Sequence, residues 1–294
     1  MAILVSATQA EPTRLTALLR RSFPAPGAVE QIQTVTLRAT GDCAVLAGVL
    51  NGNFLPVGGG EFSAAAAAPD WIVLTSPGGI SVVFGELRRL GFTPAQARHL
   101  RYAVVGDATA DALREQGLEP TYISGHASPP AADSGRTPES AAVGGAAAAG
   151  ARALAEGLAS SGLIAGAVVH VLQSNRADSS VWAPLQARAA RLRRWVAYRS
   201  DLMPENSSPL AAGAAAGAFS ALAFTSGSTV EGLLAVVGTA RVAALTGWLK
   251  RAQVFSLGPT ATKTLAALGV TGVLEPSEAT VPALAALMQA KLKA

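Results

Sequence analysis

The chain has 294 residues, enough for two domains of ordinary size, and 50% of them are hydrophobic against 14% charged, which excludes general disorder. The net charge of +4 comes from arginines scattered along the chain rather than massed, so no nucleic-acid-binding patch is expected, whereas a small anionic ligand is compatible. Cys43 is the only cysteine, so no internal disulfide can form and a reducing, cytoplasmic setting is expected; His99, His126 and His170 lie too far apart to suggest a metal cage.

Short apolar runs alternate with longer segments of helical period, the pattern of parallel α/β units. "AILVSA" predicts a first strand and is too short for a secretory signal. "PTRLTALLRRSF" places Leu15, Leu18 and Leu19 on one helical face, and "FPAPG" stops that helix. "VEQIQTVTL" alternates like one half-exposed strand. Between Arg38 and Pro69 a helix is expected, followed by an inserted loop, "GNFLPVGGGEFSAAAAAP". Then come strand "DWIVLTS", helix "GGISVVFGELRRLG", strand "RYAVVG", helix "DATADALREQG" and strand "PTYIS". The Pro/Ser/Gly-rich "GHASPPAADSGRTPES" reads as a loop, and "AGARALAEGLAS" as a helix.

From about Ala167 the order restarts with strand "AVVHVLQS", helix "WAPLQARAARL" and strand "RWVAYRS". The stretch from Asn206 to Val230 carries no charge, but Ala, Gly, Ser and Thr dominate it. A buried helix and strand are expected there, not a membrane span. Strand "ALAFTS", helix "TVEGLLAVVG", strand "AQVFSLG", helix "TATKTLAALG", strand "VTGVLEP" and the closing helix "TVPALAALMQAKLKA" complete the chain.

Two phrases are written twice. Thr75-Ser76 recurs as Thr225-Ser226, and "VVGDATADALREQG" recurs as "SLGPTATKTLAALG", with Gly106, Leu113 and Gly117 matching Gly258, Leu265 and Gly269. A period of about 150 residues means a duplicated domain and not a solenoid. All four phrases fall where a strand ends and a helix begins, the edge at which open parallel sheets bind ligands. Free helix N–H groups, the positive end of the helix dipole and short hydroxyl side chains converge there, which suits carboxylates or phosphates. Gly106 and Gly258 allow close backbone approach. The competing reading is local: Thr75, Ser76, Thr225 and Ser226 as helix caps, Gly117 and Gly269 as C-terminal caps. Neither "GDATAD" nor "GPTATK" is a Walker loop, and no G-x-G-x-x-G follows a strand, so no nucleotide cofactor is expected.

Taken together, these phrases resemble the uroporphyrinogen-III synthase family. That family carries an apolar strand ending in Thr-Ser with an aliphatic residue beyond, here Thr75-Ser76 with Ile80 and Thr225-Ser226 with Val230. A Gly-x-x-Thr-Ala element then opens a helix ending Leu-x-x-x-Gly, matched by Gly106, Thr109, Ala110, Leu113 and Gly117. "VAYRS" fits the family's aliphatic-x-Tyr-x-Ser/Thr segment and places its tyrosine at Tyr198. The chain departs from the family where "LVSATQAEP" stands in place of strand–Thr-Arg-Pro, and at Ala261, where Thr260 and Thr262 flank the usual threonine position. Residues 42–70 and 125–140 read as insertions.

The resemblance implies two flavodoxin-like parallel-sheet domains joined by a two-stranded hinge that the chain crosses twice, at "QIQTVTL" and "VAYRSDLMP". One domain would comprise 1–37 and 203–294, the other 38–197; periodicity alone would cut the chain near residue 160. It also implies a cytoplasmic monomer that needs no cofactor or metal and closes linear hydroxymethylbilane into uroporphyrinogen III, with loss of water and inversion of ring D. The polycarboxylate substrate would lie in a cleft, held by Thr75, Ser76, Gly106, Thr109, Ala110, Thr225, Ser226, Gly258, Thr260 and Thr262. Tyr198 would be the hydrogen-bond donor or positioner, and Arg14, Arg176 and Lys263 could add charge. Two other readings stay open. "FTSGSTVEGL" is similar to the phosphosugar loop of sugar isomerase domains, with Ser226, Ser228 and Thr229 as phosphate ligands, although "LTSPGGISVV" keeps only its first two residues. A non-enzymatic small-anion sensor on the same fold is the other.

Overall fold

A computed structural model describes residues 2–9, 12–50, 69–125, 146–206 and 208–293. The chain opens with β1 (Ile3–Ala7), α1 (Arg14–Ser22), β2 (Val29–Gln33), β3 (Val35–Ala39) and α2 (Asp42–Leu50). Next come β4 (Trp71–Leu74), α3 (Pro77–Arg89), β5 (Arg101–Val104), α4 (Gly106–Arg114) and β6 (Tyr122–Ile123). They are followed by α5 (Ala146–Ser160), β7 (Val168–Ser174), α6 (Ala183–Gln186) and β8 (Arg191–Leu202). The remainder is α7 (Pro209–Ala216), β9 (Ala221–Phe224), α8 (Gly227–Val237), α9 (Val242–Leu249), β10 (Gln253–Ser256), α10 (Pro259–Ala267) and α11 (Val281–Leu292). Most of the expected insertion 42–70 and nearly all of 125–140 lie outside the described residues, as does His126; α2 occupies the start of the first.

The strands form a four-stranded sheet in the order β10-β9-β1-β2 and a six-stranded sheet in the order β3-β8-β7-β4-β5-β6. Every pairing in the first is parallel, as are those of β7 with β8 and β4, and of β5 with β4 and β6. The two sheets share one plan. β9 and β10 stand beside β1 and β2 in the first as β4 and β5 stand beside β7 and β8 in the second. The linear repeat is therefore exchanged: each sheet takes one strand pair from each half of the chain. By its internal packing the chain divides into two compact units, Met1–Thr36 with Asp201–Ala294, and Leu37–Ser200.

Parallel strands covered on both faces read as continuous apolar runs, and each unit shows why. In β9, Leu222 and Phe224 pack with Ala211, Leu233, Leu245 and Leu265, whereas Ala221 and Ala223 pack with Leu15, Leu19, Leu284 and Met288 on the other side. In β4, Ile72 and Leu74 meet Leu46, Phe84 and Leu113, whereas Trp71 and Val73 meet Leu154, Leu158, Trp182 and Leu185.

The structure departs from the expected elements at four places. "VEQIQTVTL" is not one strand: it breaks at Thr34, so that β2 joins the four-stranded sheet and β3 the six-stranded one. The helix expected over Trp182–Leu192 shrinks to a 3-10 turn at Ser179–Trp182 and the four residues of α6. The pairing Val168↔Arg191 and Val169↔Leu192 takes its last residues into β8. "VTGVLEP" contributes only the bridge Phe255↔Leu274, because Gly272 turns the chain at φ +71° and Pro276 lacks an N–H to donate. Helix α9 has no counterpart among the expected elements; Thr246 and Gly247 dilute its helical signal while Leu245 and Leu249 anchor it. The uncharged stretch 206–230 holds α7, β9 and the start of α8, and among the described residues no helix is long and apolar enough to cross a membrane.

Candidate active site

In the unit 37–200, β4 ends at Leu74 and Thr75-Ser76 lead into α3. Ser76 caps the helix: its backbone is extended and its Oγ accepts from Gly79 N at 3.2 Å, while Pro77 supplies a first residue with no N–H to satisfy. Tyr198 arrives at the same edge from β8. The register of β7 with β8 slips by one residue between Gln173 and Ser174, so Tyr198 stands opposite Ser174. The tyrosine is only 6% exposed, and its ring lies flush against Gly79. A β-carbon at Gly79 would stand 2.5 Å from Cε1, 2.6 Å from Cζ and 2.8 Å from the hydroxyl oxygen. Burial pushes the phenol above its ordinary value, and hydrogen bonding with the side chains of Ser76, Ser174 and Thr75 pulls the other way. The hydroxyl is thus protonated at neutral pH and able to donate.

The matching phrase of the other unit is built differently. Ser226 caps α8 by accepting from Thr229 N at 3.3 Å, and Thr229 Oγ1 accepts from Ser226 N at 3.3 Å, a closed capping box. Ser228 Oγ lies 2.9 Å from Ser226 Oγ. Behind the box, buried Ser6 donates to Thr229 O at 2.8 Å and accepts from Thr34 Oγ1 at 2.8 Å, the single proton of Thr34 lying between Ser6 Oγ and Ala7 O. The hydroxyls of the Ser-Gly-Ser-Thr cluster are therefore engaged with one another and with backbone. Thr229 holds the place, three residues past the capping serine, that Gly79 holds in the other unit.

The two repeated glycines also differ. Gly106 begins α4 at φ +67° with nothing near the position of a β-carbon, so the left-handed backbone is what calls for glycine. Gly258 is fully extended, a conformation open to any residue. Thr109 is 2% exposed and Ala110 not at all; both face inward from α4, as Ala261 does from α10. Thr260 and Thr262 are half-buried, and Thr262 Oγ1 lies 2.6 Å from buried Ser256 Oγ. A β-carbon at Gly227 would meet Thr264 Oγ1 at 2.7 Å and Thr260 Cγ2 at 3.3 Å, so the starts of α8 and α10 touch. Gly117 and Gly269 close their helices alike, at φ +78° and +73°, with Leu118 N and Val270 N donating back to Leu113 O and Leu265 O.

Thr75, Ser76 and Tyr198 are thus brought together at one sheet edge, and Thr225, Ser226 and Thr260 at another. Arg14, Arg176 and Lys263 are exposed. Two surface cavities, of about 290 Å³ beside Glu205 and Gly238 and about 470 Å³ beside Arg98 and Tyr102, are lined by none of the residues proposed from sequence to hold a ligand. Among the described residues no group of three or more His, Cys, Asp or Glu side chains is placed to hold a metal ion. Sequence reasoning missed Gly79 and Ser174. The first had a signal, since aligning the two copies sets glycine against threonine at that position; the second depends on a register slip that no local pattern announces.

Comparison with known proteins gives a consistent result. Over its whole length the fold is similar to the crystal structure of a mutant uroporphyrinogen III synthase from the extremely thermophilic bacterium Thermus thermophilus, with a TM-score of 0.58, 15% identity and 98% of that chain covered. It is likewise similar to uroporphyrinogen-III synthetase from Helicobacter pylori 26695, with a TM-score of 0.53, 14% identity and 99% of each chain covered. At such identities the likeness speaks for a mixed α/β fold with parallel sheets. No curated protein sequence matches. The family model described as uroporphyrinogen-III synthase HemD matches residues 60–286, a span that includes Tyr198 and all four repeated phrases, so the chain belongs to the uroporphyrinogen-III synthase family.

Proposed function

We propose that the protein is a uroporphyrinogen-III synthase, a cyclising lyase that converts hydroxymethylbilane to uroporphyrinogen III. The observation that carries this reading is the family match over residues 60–286, which takes in Tyr198 and the repeated Thr-Ser and glycine phrases offered for the substrate. In the reaction the C–O bond of the hydroxymethyl group breaks and its oxygen leaves as water after gaining a proton. A C–C bond to ring D forms and gives a spiro intermediate. The bond that joined ring D to the methylene of ring C then breaks and re-forms at the free α-carbon of ring D, which loses its proton. Ring D is thereby inverted, and the proton taken up by the departing water is balanced. The substrate carries eight carboxylates, and closure without an enzyme yields the uninverted isomer, so geometry decides the product. Orientation is the main lever, and in favourable cases it supplies up to about 7–11 kcal/mol.

In this reading Thr75, Ser76, Thr225, Ser226, Thr260 and Thr262, with the first backbone N–H groups of their helices near Gly106 and Gly258, hold acetate and propionate groups. Thr109 and Ala110, being buried, serve as the packed support of α4. Tyr198 donates a hydrogen bond toward the departing hydroxyl, a role its protonated state suits. The flavodoxin-like domains 1–37 with 203–294 and 38–197, joined by two extended crossings, belong to the same reading; the parallel strand order of each sheet supports it. So do action as a monomer and a cytoplasmic setting, the latter in keeping with a single, buried cysteine.

The test is an isomer assay. Hydroxymethylbilane is generated in situ, the purified protein added, and the oxidised uroporphyrins I and III separated by chromatography. Isomer III in excess of the protein-free control supports the proposal. Isomer I alone, from folded protein, overturns it.

A further inference from the structure

Gly79 sits in the first turn of α3 with an ordinary helical backbone, so no turn requires a glycine there. Glycine weakens a helix relative to alanine. The space explains it instead: the ring of Tyr198 occupies the place of the missing β-carbon, with the hydroxyl oxygen 2.8 Å from that point. The phenol oxygen is thereby set beside the first turn of a thirteen-residue helix, next to the serine that caps it. A second feature works on the same side chain. The slip between β7 and β8 pairs Ser174 with Tyr198, and the tyrosine's carbonyl accepts from Asn175 N at 3.1 Å, fixing the backbone on the far side of the slip. In the other unit, threonine holds the position of Gly79 and completes a capping box, so the first turn of α8 is closed.

We propose that Gly79 and Ser174 are positioning residues for Tyr198: the glycine admits the ring to the first turn of α3, and Ser174, set opposite by the register slip, holds the phenol oxygen beside Ser76. The inference rests on the proposed function for its consequence in turnover, but not for the geometry itself. A β-carbon at residue 79 moves the phenol away from Ser76. Loss of the Ser174 hydroxyl leaves the ring in place and removes one of its partners. Both changes act on kcat and leave KM nearly unchanged, because neither residue is offered as a substrate contact.

Two measurements test this. The 13Cζ resonance of Tyr198 at neutral pH, which responds to hydrogen bonds at the phenol oxygen, is expected to shift in Ser174→Ala and to return in Ser174→Thr, with kcat following the same order. In a double-mutant cycle, Gly79→Ala is expected to lower kcat at least about tenfold in the wild-type background, within the roughly hundredfold that a misplacement of about 1 Å can cost, and by no more than about twofold once Tyr198→Ala has removed the ring. An unchanged resonance in Ser174→Ala overturns the role of Ser174. Equal losses from Gly79→Ala in both backgrounds overturn that of Gly79. A wild-type protein that makes no isomer III defeats the proposed function alone. The same resonance, expected to shift in Gly79→Ala as in Ser174→Ala, then decides the geometry, and an unchanged resonance in either variant overturns the role of that residue.

Discussion

The rings of His170 and Trp195 lie 5.5 Å apart at 60° across β7 and β8, and among the described residues neither His170 Nδ1 nor Trp195 Nε1 has a hydrogen-bond partner. The Arg193 guanidinium lies 3.8 Å over the indole. His170 is 1% exposed. Burial first, and the charge of Arg193 second, lower its pKa from 6.5 to about 4. The folded state therefore keeps the imidazole neutral where the unfolded chain takes up a proton. The resulting stability is fully present above pH 6.5 and is lost as the pH falls toward 4, up to roughly 3 kcal/mol. Urea unfolding of the wild type should lose stability over this window, and His170→Leu should lose distinctly less.

Two glycines should respond in opposite directions to alanine. A β-carbon at Gly232 in α8 would press into the backbone oxygen of Thr34 and cannot be accommodated without moving the helix. Gly232→Ala is expected to destabilise by about 1–3 kcal/mol. Gly247, inside α9, has open space around it, so Gly247→Ala should stabilise by about 0.5–1 kcal/mol. Thermal unfolding of the two variants reads both signs.

Ser6 joins three elements through one hydroxyl, bonding to Thr34 after β2 and to the carbonyl of Thr229 in α8, all without solvent. Ser6→Ala leaves that carbonyl short of a partner in a buried site and should cost about 1–3 kcal/mol. The loss should appear in the denaturation midpoint, while amide exchange in the first turn of α8 becomes faster.

Tyr198→Phe keeps the ring against Gly79 and removes the donor. Its kcat for isomer III should fall by at least about tenfold, as loss of a positioned proton donor does, with KM and unfolding midpoint little changed. An equal rise in KM with kcat intact would assign the hydroxyl to ground-state binding instead.

The parallel α/β class was legible because strands buried on both faces leave short apolar runs, "WIVL" and "ALAF" among them, that pass through one threonine to a capping serine. Ser76 and Ser226 announced α3 and α8 in the same way, and the set of repeated phrases sufficed to indicate the family. What stayed hidden depends on partners distant in sequence. Nothing local in "AILVSA" says that Ile3 pairs with Ala221, and the restart near Ala167 does not say which halves pair. The break at Thr34 arises because two sheets claim adjacent residues, and α6 is shortened because the register of β8 takes Arg191 and Leu192. At the candidate site the tyrosine could be found from its motif. The space it fills could not, because a glycine in a helix looks like a weakness until the neighbour that needs the room is seen.

The assembly of each sheet from both halves of the chain has a consequence for synthesis. Residues 37–200 are one uninterrupted stretch, so a nascent chain holds nearly the whole of that unit once β8 has left the ribosome. β1 is made first, yet its strand has essentially no exposed surface in the finished protein and its neighbour β9 is among the last strands to emerge. Ile3, Leu4 and Val5 must therefore wait beside β2, apolar and half-covered, through most of translation, the condition that invites aggregation or a holding chaperone. A ribosome that stalls after β8 has emerged and before β9 has done so carries a nearly complete second unit and an orphaned first strand.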